Sequence, residues 1–284
     1  MKIEFKEKTF EKYYGHELAR LTNTTYSPDQ CDEKFLGFDE AYLLPEEWFF
    51  RIAPYVRRRP RARMQGIGVN DLNHIVEELS RYLPKFRFNL FVQFKRPAYL
   101  ISPGAGQWKD WKQSYYRYEI TPHQQEALEK IESQSHGRAA TVYASPAFWR
   151  SDDLWEHVKN EAVVDNSNMA SAGRLSGHGH YSYVSAGFTG KGHSETVSID
   201  SEPLRQVIKS GLEQNEPLPL NQHLKKAATA IWEATDSGDL AAPIFHRARE
   251  ALGLEEIDRN SLESAMAVID AFSDAFGVRY YAMG

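Results

Sequence analysis

The run FNLFVQFK over residues 88 to 95 constrains the fold more than any other stretch of the chain. Its apolar, β-favouring residues read as a strand of a buried sheet. Side chains alternate across a strand, so Phe91, Gln93 and Lys95 share one face while Leu90, Val92 and Phe94 share the other. If the second set faces a packed core, the first turns Gln93 and Lys95 either to water or to a site. A half-exposed strand is the plainer expectation, and other parts of the sequence must decide against it.

Upstream, FEKYYGHELARL places Phe10, Tyr14, Leu18 and Leu21 on one helical stripe, and Glu17 lies on that apolar stripe. FLGFDEAYLLP reads as a short strand or hairpin ended by Pro45, with Phe35, Gly37, Asp39 and Ala41 on one face. Residues 46–88 read as a helical insertion with a basic loop in its middle. After the 88–95 strand come a Gly/Pro-marked loop and a second strand, SYYRYEI. Thr121 then precedes a helix with Pro122 at its first position, PHQQEALEKIESQ, and the chain returns as AATVYASPAF, a further strand. This alternation predicts an α/β or α+β sheet with helices packed against it. Residues 1–150 form the expected core, 151–200 a strand and loop extension, and 201–284 a helical C-terminal subdomain.

Composition limits the rest. The hydrophobic fraction of 42% is ordinary for a globular chain, and the net charge of -5 means that any nucleic-acid contact must be a local basic site. The single cysteine, Cys31, excludes an internal disulfide framework and fits a reducing compartment, so a cytoplasmic location is expected. The N-terminal stretch has no apolar segment of a secretory signal, and no run approaches the ~18 apolar residues of a membrane span.

Glu17, Asp39, Gln93 and Lys95 follow one another in the order helix, strand, strand. Two oxygen donors with a lysine beside them are what phosphodiester hydrolysis needs. The oxygens hold a hard Mg²⁺, which lowers the pKa of a bound water, and the ammonium orients that water or neutralises developing charge.

The sequence resembles the PD-(D/E)xK, or restriction-endonuclease-like, nuclease superfamily. Its members carry an acidic helix, then Asp and Glu-x-Lys on neighbouring strands, then a helix and a further strand; VQFK is similar to the Q-x-K variant. The resemblance covers about residues 8–148. It implies a restriction-endonuclease-like mixed sheet flanked by helices. Asp39, Gln93 and Glu17 would be metal ligands for Mg²⁺ or Mn²⁺, and Lys95 the catalytic lysine. Gln124 would be the glutamine that several members place on the helix after this strand, here assigned to nucleic-acid binding. Glu40 and Asp71 are the alternatives to Asp39, because the helical insertion separates Asp39 from Gln93 more widely than is usual. The implied activity is a metal-dependent endonuclease, acting on DNA, of the kind used in prokaryotic restriction or antiviral defence. The rival is a catalytically inactive module of the same fold that binds nucleic acid or joins a defence complex.

Arg57, Arg58, Arg59, Arg61 and Arg63 form a basic run that would meet phosphates at the rim of such a site. Trp108, Trp111, Tyr115, Tyr116 and Tyr118 beside Lys109, Lys112 and Arg117 could stack bases, although alternating aromatics on a strand are more often core. His178, His180 and His193 do not follow a zinc spacing, but a hydrolase built on this Gly/His-rich segment is a third reading. The partners expected are nucleic acid, a protein of a defence complex, or further copies of the chain.

Overall fold

Seven consecutive residues, Phe88–Phe94, form a strand that is buried at every position, so the sheet that holds it is covered on both faces. The structure, a computed structural model, describes residues 2–21, 25–26, 85–237, 239–251 and 261–284. Asp39, its alternatives Glu40 and Asp71, and Arg57, Arg58, Arg59, Arg61 and Arg63 lie outside the described residues. So do the expected hairpin and most of the helical insertion.

In chain order the first elements are helix α1 (Glu7–Leu18), β1 (Thr25–Tyr26), β2 (Phe88–Phe94) and β3 (Ala98–Leu100). A four-residue helix α2 (Trp108–Trp111), β4 (Tyr115–Glu119), α3 (Pro122–Gln134), β5 (Ala139–Pro146) and α4 (Ser151–Lys159) follow. Then come β6 (Ser167–Ser171), β7 (His180–Tyr183), β8 (Thr189–His193) and β9 (Val197–Asp200). The last part contains α5 (Leu204–Gln214), α6 (Leu220–Asp236), α7 (Ala242–Ala251), α8 (Leu262–Phe276) and β10 (Val278–Met283).

The strands make two five-stranded sheets, ordered β1-β10-β2-β5-β6 and β3-β4-β7-β8-β9. The first is mixed, with β2 and β5 parallel and joined by a crossover that includes α3; the second is antiparallel throughout. The molecule is therefore a mixed α/β protein. Among the described residues no helix is long and apolar enough to cross a membrane.

Sequence signals account for most of these elements. Pro122 opens α3 as expected, although Thr121 makes no side-chain cap. Ser261 caps α8 by accepting from the Ser264 N–H, and Gly277 ends it in the left-handed conformation at φ 64. The reading of 201–284 as wholly helical needs correction, because the chain turns after Gly277 into β10, which inserts between β1 and β2. Val278 lies opposite Gln93 and Tyr280 opposite Phe91.

The two faces of β2 are covered by different layers. Phe94 meets Phe10 and Tyr14 of α1 at ring separations of 5.8 and 5.2 Å, whereas Phe91 packs on Phe272 of α8 at 6.0 Å. Each such fully buried ring contributes roughly 1.5–3 kcal/mol. Between the sheets, Tyr118 stacks on Tyr143 and the Tyr183 hydroxyl reaches Pro146 O at 2.8 Å, while Tyr116 stacks on Tyr183 within the second sheet. Tyr115, Tyr116 and Tyr118 are core residues rather than a stacking platform for bases, and only Trp108 and Trp111 stay half-exposed.

Candidate active site

The half-exposed expectation for β2 fails at Gln93, which is 4% exposed, and Lys95 is itself half-buried. Lys95 extends the parallel ladder by one residue, its N–H donating to Ala144 O at 2.9 Å, so its Cα is held as firmly as the strand. Its side chain runs over the Tyr143 ring, with Nζ 5.5 Å from the centroid, and donates to Gln124 Oε1 at 3.1 Å. Gln124 in turn donates from Nε2 to Phe276 O at 2.7 Å. The lysine of one strand and the glutamine of the following helix, named separately on sequence grounds, are in direct contact.

Gln93 is part of the same corner. Its Nε2 donates to Phe94 O at 3.2 Å, which turns Oε1 the other way; that buried oxygen has no hydrogen-bond partner among the described residues. A Cβ built at Gly277 would lie 3.8 Å from Gln93 Nε2 and 3.9 Å from Gln124 Nε2, so both amides border the turn that follows α8.

Burial lowers the pKa of the Lys95 ammonium, and the carboxylates of Glu7 and Glu119 pull it back up. Glu7 accepts the Arg96 N–H at 2.9 Å, and its own carboxyl is raised by burial while Lys95 draws it down. The helix-borne acid beside the lysine is therefore Glu7. Sequence reasoning missed it because a glutamate in a first helical turn looks like an ordinary favourable partner of the helix dipole.

Glu17 does not join this group. It is buried as its stripe predicts, but Oε2 accepts from the Val163 and Val164 N–H groups at 2.6 and 3.2 Å. Ten residues separate it from Glu7 along α1, a rise of about 15 Å, which places it at the far end of the helix from Lys95. Its carboxyl is raised by burial and held by two backbone amides, a structural role. Gln124 also departs from expectation, since both polar atoms of its amide are engaged inside the protein rather than turned to nucleic acid.

The histidine-rich segment forms a separate polar cluster on the second sheet. Trp111 Nε1 donates to Ser182 Oγ at 2.8 Å, and Ser182 Oγ lies 2.6 Å from His193 Nε2. An indole N–H only donates, so Ser182 Oγ accepts from Trp111, while the direction of its bond with His193 is set by the imidazole tautomer. The arrangement resembles a nucleophile with its base, yet Ser182 is fully buried and bonded to Trp111. Burial also pushes the His193 imidazole down, with His180, Arg117 and His178 adding to the effect and Asp110 opposing it. The His178 ring lies where a Cβ on Gly192 would come within 2.5 Å, so this glycine is required by packing. Among the described residues, no group of three or more His, Cys, Asp or Glu side chains is arranged to hold a metal.

Comparison of the chain with family models, curated proteins and solved structures finds no match.

Proposed function

We propose that the protein is a metal-dependent nuclease of the restriction-endonuclease-like type, hydrolysing phosphodiester bonds in DNA at the corner formed by β2, α3 and the end of α8. The reading rests chiefly on one observation: a desolvated ammonium, Lys95, held by Gln124, with an oxygen of Gln93, unpartnered among the described residues, two residues before it. A half-buried lysine whose ammonium is desolvated is costly to keep charged, and perturbed groups of this kind concentrate at functional sites.

The donor chemistry suits a hard cation in part. Gln93 Oε1, without a partner among the described residues, is an oxygen of the right type, and a carboxylate ligand would come from Asp39, with Glu7 as a nearby acid. A bound Mg²⁺ or Mn²⁺ would supply an acidified water and positive charge. Lys95 would orient that water and donate to a non-bridging phosphate oxygen. Gln124 fixes the ammonium, and Glu7 and Glu119 favour its protonated form. The arginines between 57 and 63 would bind the phosphates that flank the scissile one.

The test is cleavage of supercoiled plasmid, single-stranded DNA and RNA with Mg²⁺ or Mn²⁺. Asp39→Ala and Lys95→Ala should each reduce cleavage by about 10²-fold or more. Metal-dependent cleavage that survives in either variant overturns the reading. A second reading, a non-catalytic module of the same architecture, draws on the neutral amide at Gln93, which removes one negative charge from a cation site. Calorimetric titration with Mn²⁺ separates the two, because an inactive site gives no binding that Asp39→Asn abolishes.

A further inference from the structure

At the end of the first sheet remote from Lys95, α3 hands the chain to β5 through His136 and Gly137, both with positive φ. A cavity of about 260 Å³ opens there between α6 and the first residues of β5 and β2. Asn89 lines it and lies six residues before Lys95, about 20 Å along an extended strand, so the cavity is separate from the candidate active site.

The floor is mostly apolar. Phe91, Ala139, Ala227 and Ala230 are buried there, and the three alanines leave space that larger side chains would fill. Asn89 is the buried polar side chain of the floor; its Oδ1 accepts from the Tyr280 hydroxyl at 2.6 Å and its Nδ2 donates to Arg138 O at 3.3 Å. An amide nitrogen carries two hydrogens, so one donor remains for a guest.

The rim is cationic. Arg138, His136 and Lys226 line it, and Glu233 is the one carboxylate among the described lining residues. Arg138 is half-buried and fixed: its N–H donates to Ser135 O at 3.0 Å, and its Nη1 donates to Glu216 O at 3.1 Å. Among the described residues neither Arg138 nor Lys226 forms an ion pair; Glu233 stands seven residues from Lys226, a rise of about 10 Å on α6. Their field reaches inward, since His223, lowered first by burial, is lowered further by both cations. The negative end of α3 is masked, with Glu132 O taken by the Ser135 hydroxyl, Ser135 O by the Arg138 N–H and Gly137 O by Asn215 Nδ2.

We propose that this cavity binds a small phosphate monoester with an apolar body, the phosphate held at the rim by Arg138 and Lys226 and the body seated on Phe91 and the alanines. Two permanent cations against one acid match a dianion better than a singly charged carboxylate, and a fixed guanidinium offers the paired donors that phosphate oxygens take. The volume lies just under the roughly 300–1,000 Å³ of sites for drug-sized ligands, which limits the body to about one ring. A guest here touches the end of α3, β5 and α6 together and braces the C-terminal helices against the sheet. The site stands independently of the nuclease reading.

The experiment uses the full chain with EDTA, at a pH where phosphate monoesters are dianions, and titrates phenyl phosphate, inorganic phosphate and benzoate by calorimetry and by ¹⁵N spectra that include the Asn89 side-chain amide. Phenyl phosphate should bind saturably, shift the Asn89 amide and raise the thermal midpoint of unfolding. Arg138→Gln should weaken it about tenfold or more, as the loss of a charge-assisted hydrogen bond implies. Lys226→Glu, at an exposed helix position, should weaken it likewise, which keeps the test open if Arg138→Gln does not fold. Ala230→Leu fills the floor while keeping both cations, so it should weaken phenyl phosphate and leave inorganic phosphate unchanged. Absence of saturable binding to the wild type, or binding that Lys226→Glu leaves unchanged, overturns the proposal. Benzoate bound as tightly as phenyl phosphate overturns the assignment to phosphate. Inorganic phosphate bound as tightly as phenyl phosphate, or phenyl phosphate unaffected by Ala230→Leu, overturns the seat for an apolar body and leaves an adventitious ion only.

Discussion

Acid should weaken this protein through one histidine. His223 of α6 is 1% exposed and packs on the Phe86 ring at 5.8 Å, with no hydrogen-bond partner for Nε2 among the described residues. Burial, with the cations of Arg138 and Lys226, pushes its imidazole from the ordinary 6.5 down to about 3, against a raising hydrogen bond at the Phe88 backbone. In the unfolded chain the same group titrates near 6.5. Above that pH neither state binds the proton and stability is unaffected. Below it the unfolded chain takes the proton and the folded one does not, so stability falls by about 1.4 kcal/mol per pH unit until the folded group titrates. Between about pH 6.5 and 4.5 the loss is roughly 2.7 kcal/mol, a large share of the 5–15 kcal/mol that holds a typical domain together. Urea unfolding of wild type and His223→Met across this window measures it. The wild type should lose about 2–3 kcal/mol more than the variant as the pH is lowered. Parallel stability profiles for the two proteins would refute the reasoning.

Replacing the Glu17 carboxylate should separate structure from catalysis. Glu17→Ala leaves the Val163 and Val164 amides without their acceptor and should cost about 1–3 kcal/mol in urea unfolding, with cleavage per folded molecule unchanged. Lys95→Met should show the converse, cleavage lost and the urea midpoint shifted by no more than about 1 kcal/mol, because a desolvated charge is exchanged for an apolar chain of similar length. For His193, ¹⁵N correlation spectra should show a ring that stays neutral as the pH falls below the ordinary 6.5. An imidazolium signal already growing in at pH 6.5 or above would contradict the burial that pushes this group down.

Much of the site could be read from residue spacing. The period of two put Gln93 and Lys95 on one side of a strand, and Pro122 fixed where the next helix begins, which sets Gln124 in its first turn. The parallel pairing of β2 with β5 then brings that helix back over the lysine. Glu17 shows why reading stopped short. Its burial was legible, but the reason for it, two amides contributed by a turn far along the chain, has no local signature. Glu7 shows the opposite case, an unremarkable position given importance by where α1 docks. The end of the chain was readable in principle: Gly277 closes a helix and VRYYAM is β-rich. Nothing in those six residues, however, names β1 and β2 as their partners.

That last strand ties function to the completion of folding. Gln93 faces a residue about 185 positions later in the chain, and closing so long a loop is among the slowest kinds of contact to form. Until β10 inserts, β2 has an open edge, the turn at Gly277 is not seated, and the carbonyl that holds Gln124 is absent from the corner. A partly folded chain would thus have its lysine strand and its crossover helix but not the third wall that brings them to order. For a protein proposed to cut nucleic acid, the site is assembled by the contact that closes the fold.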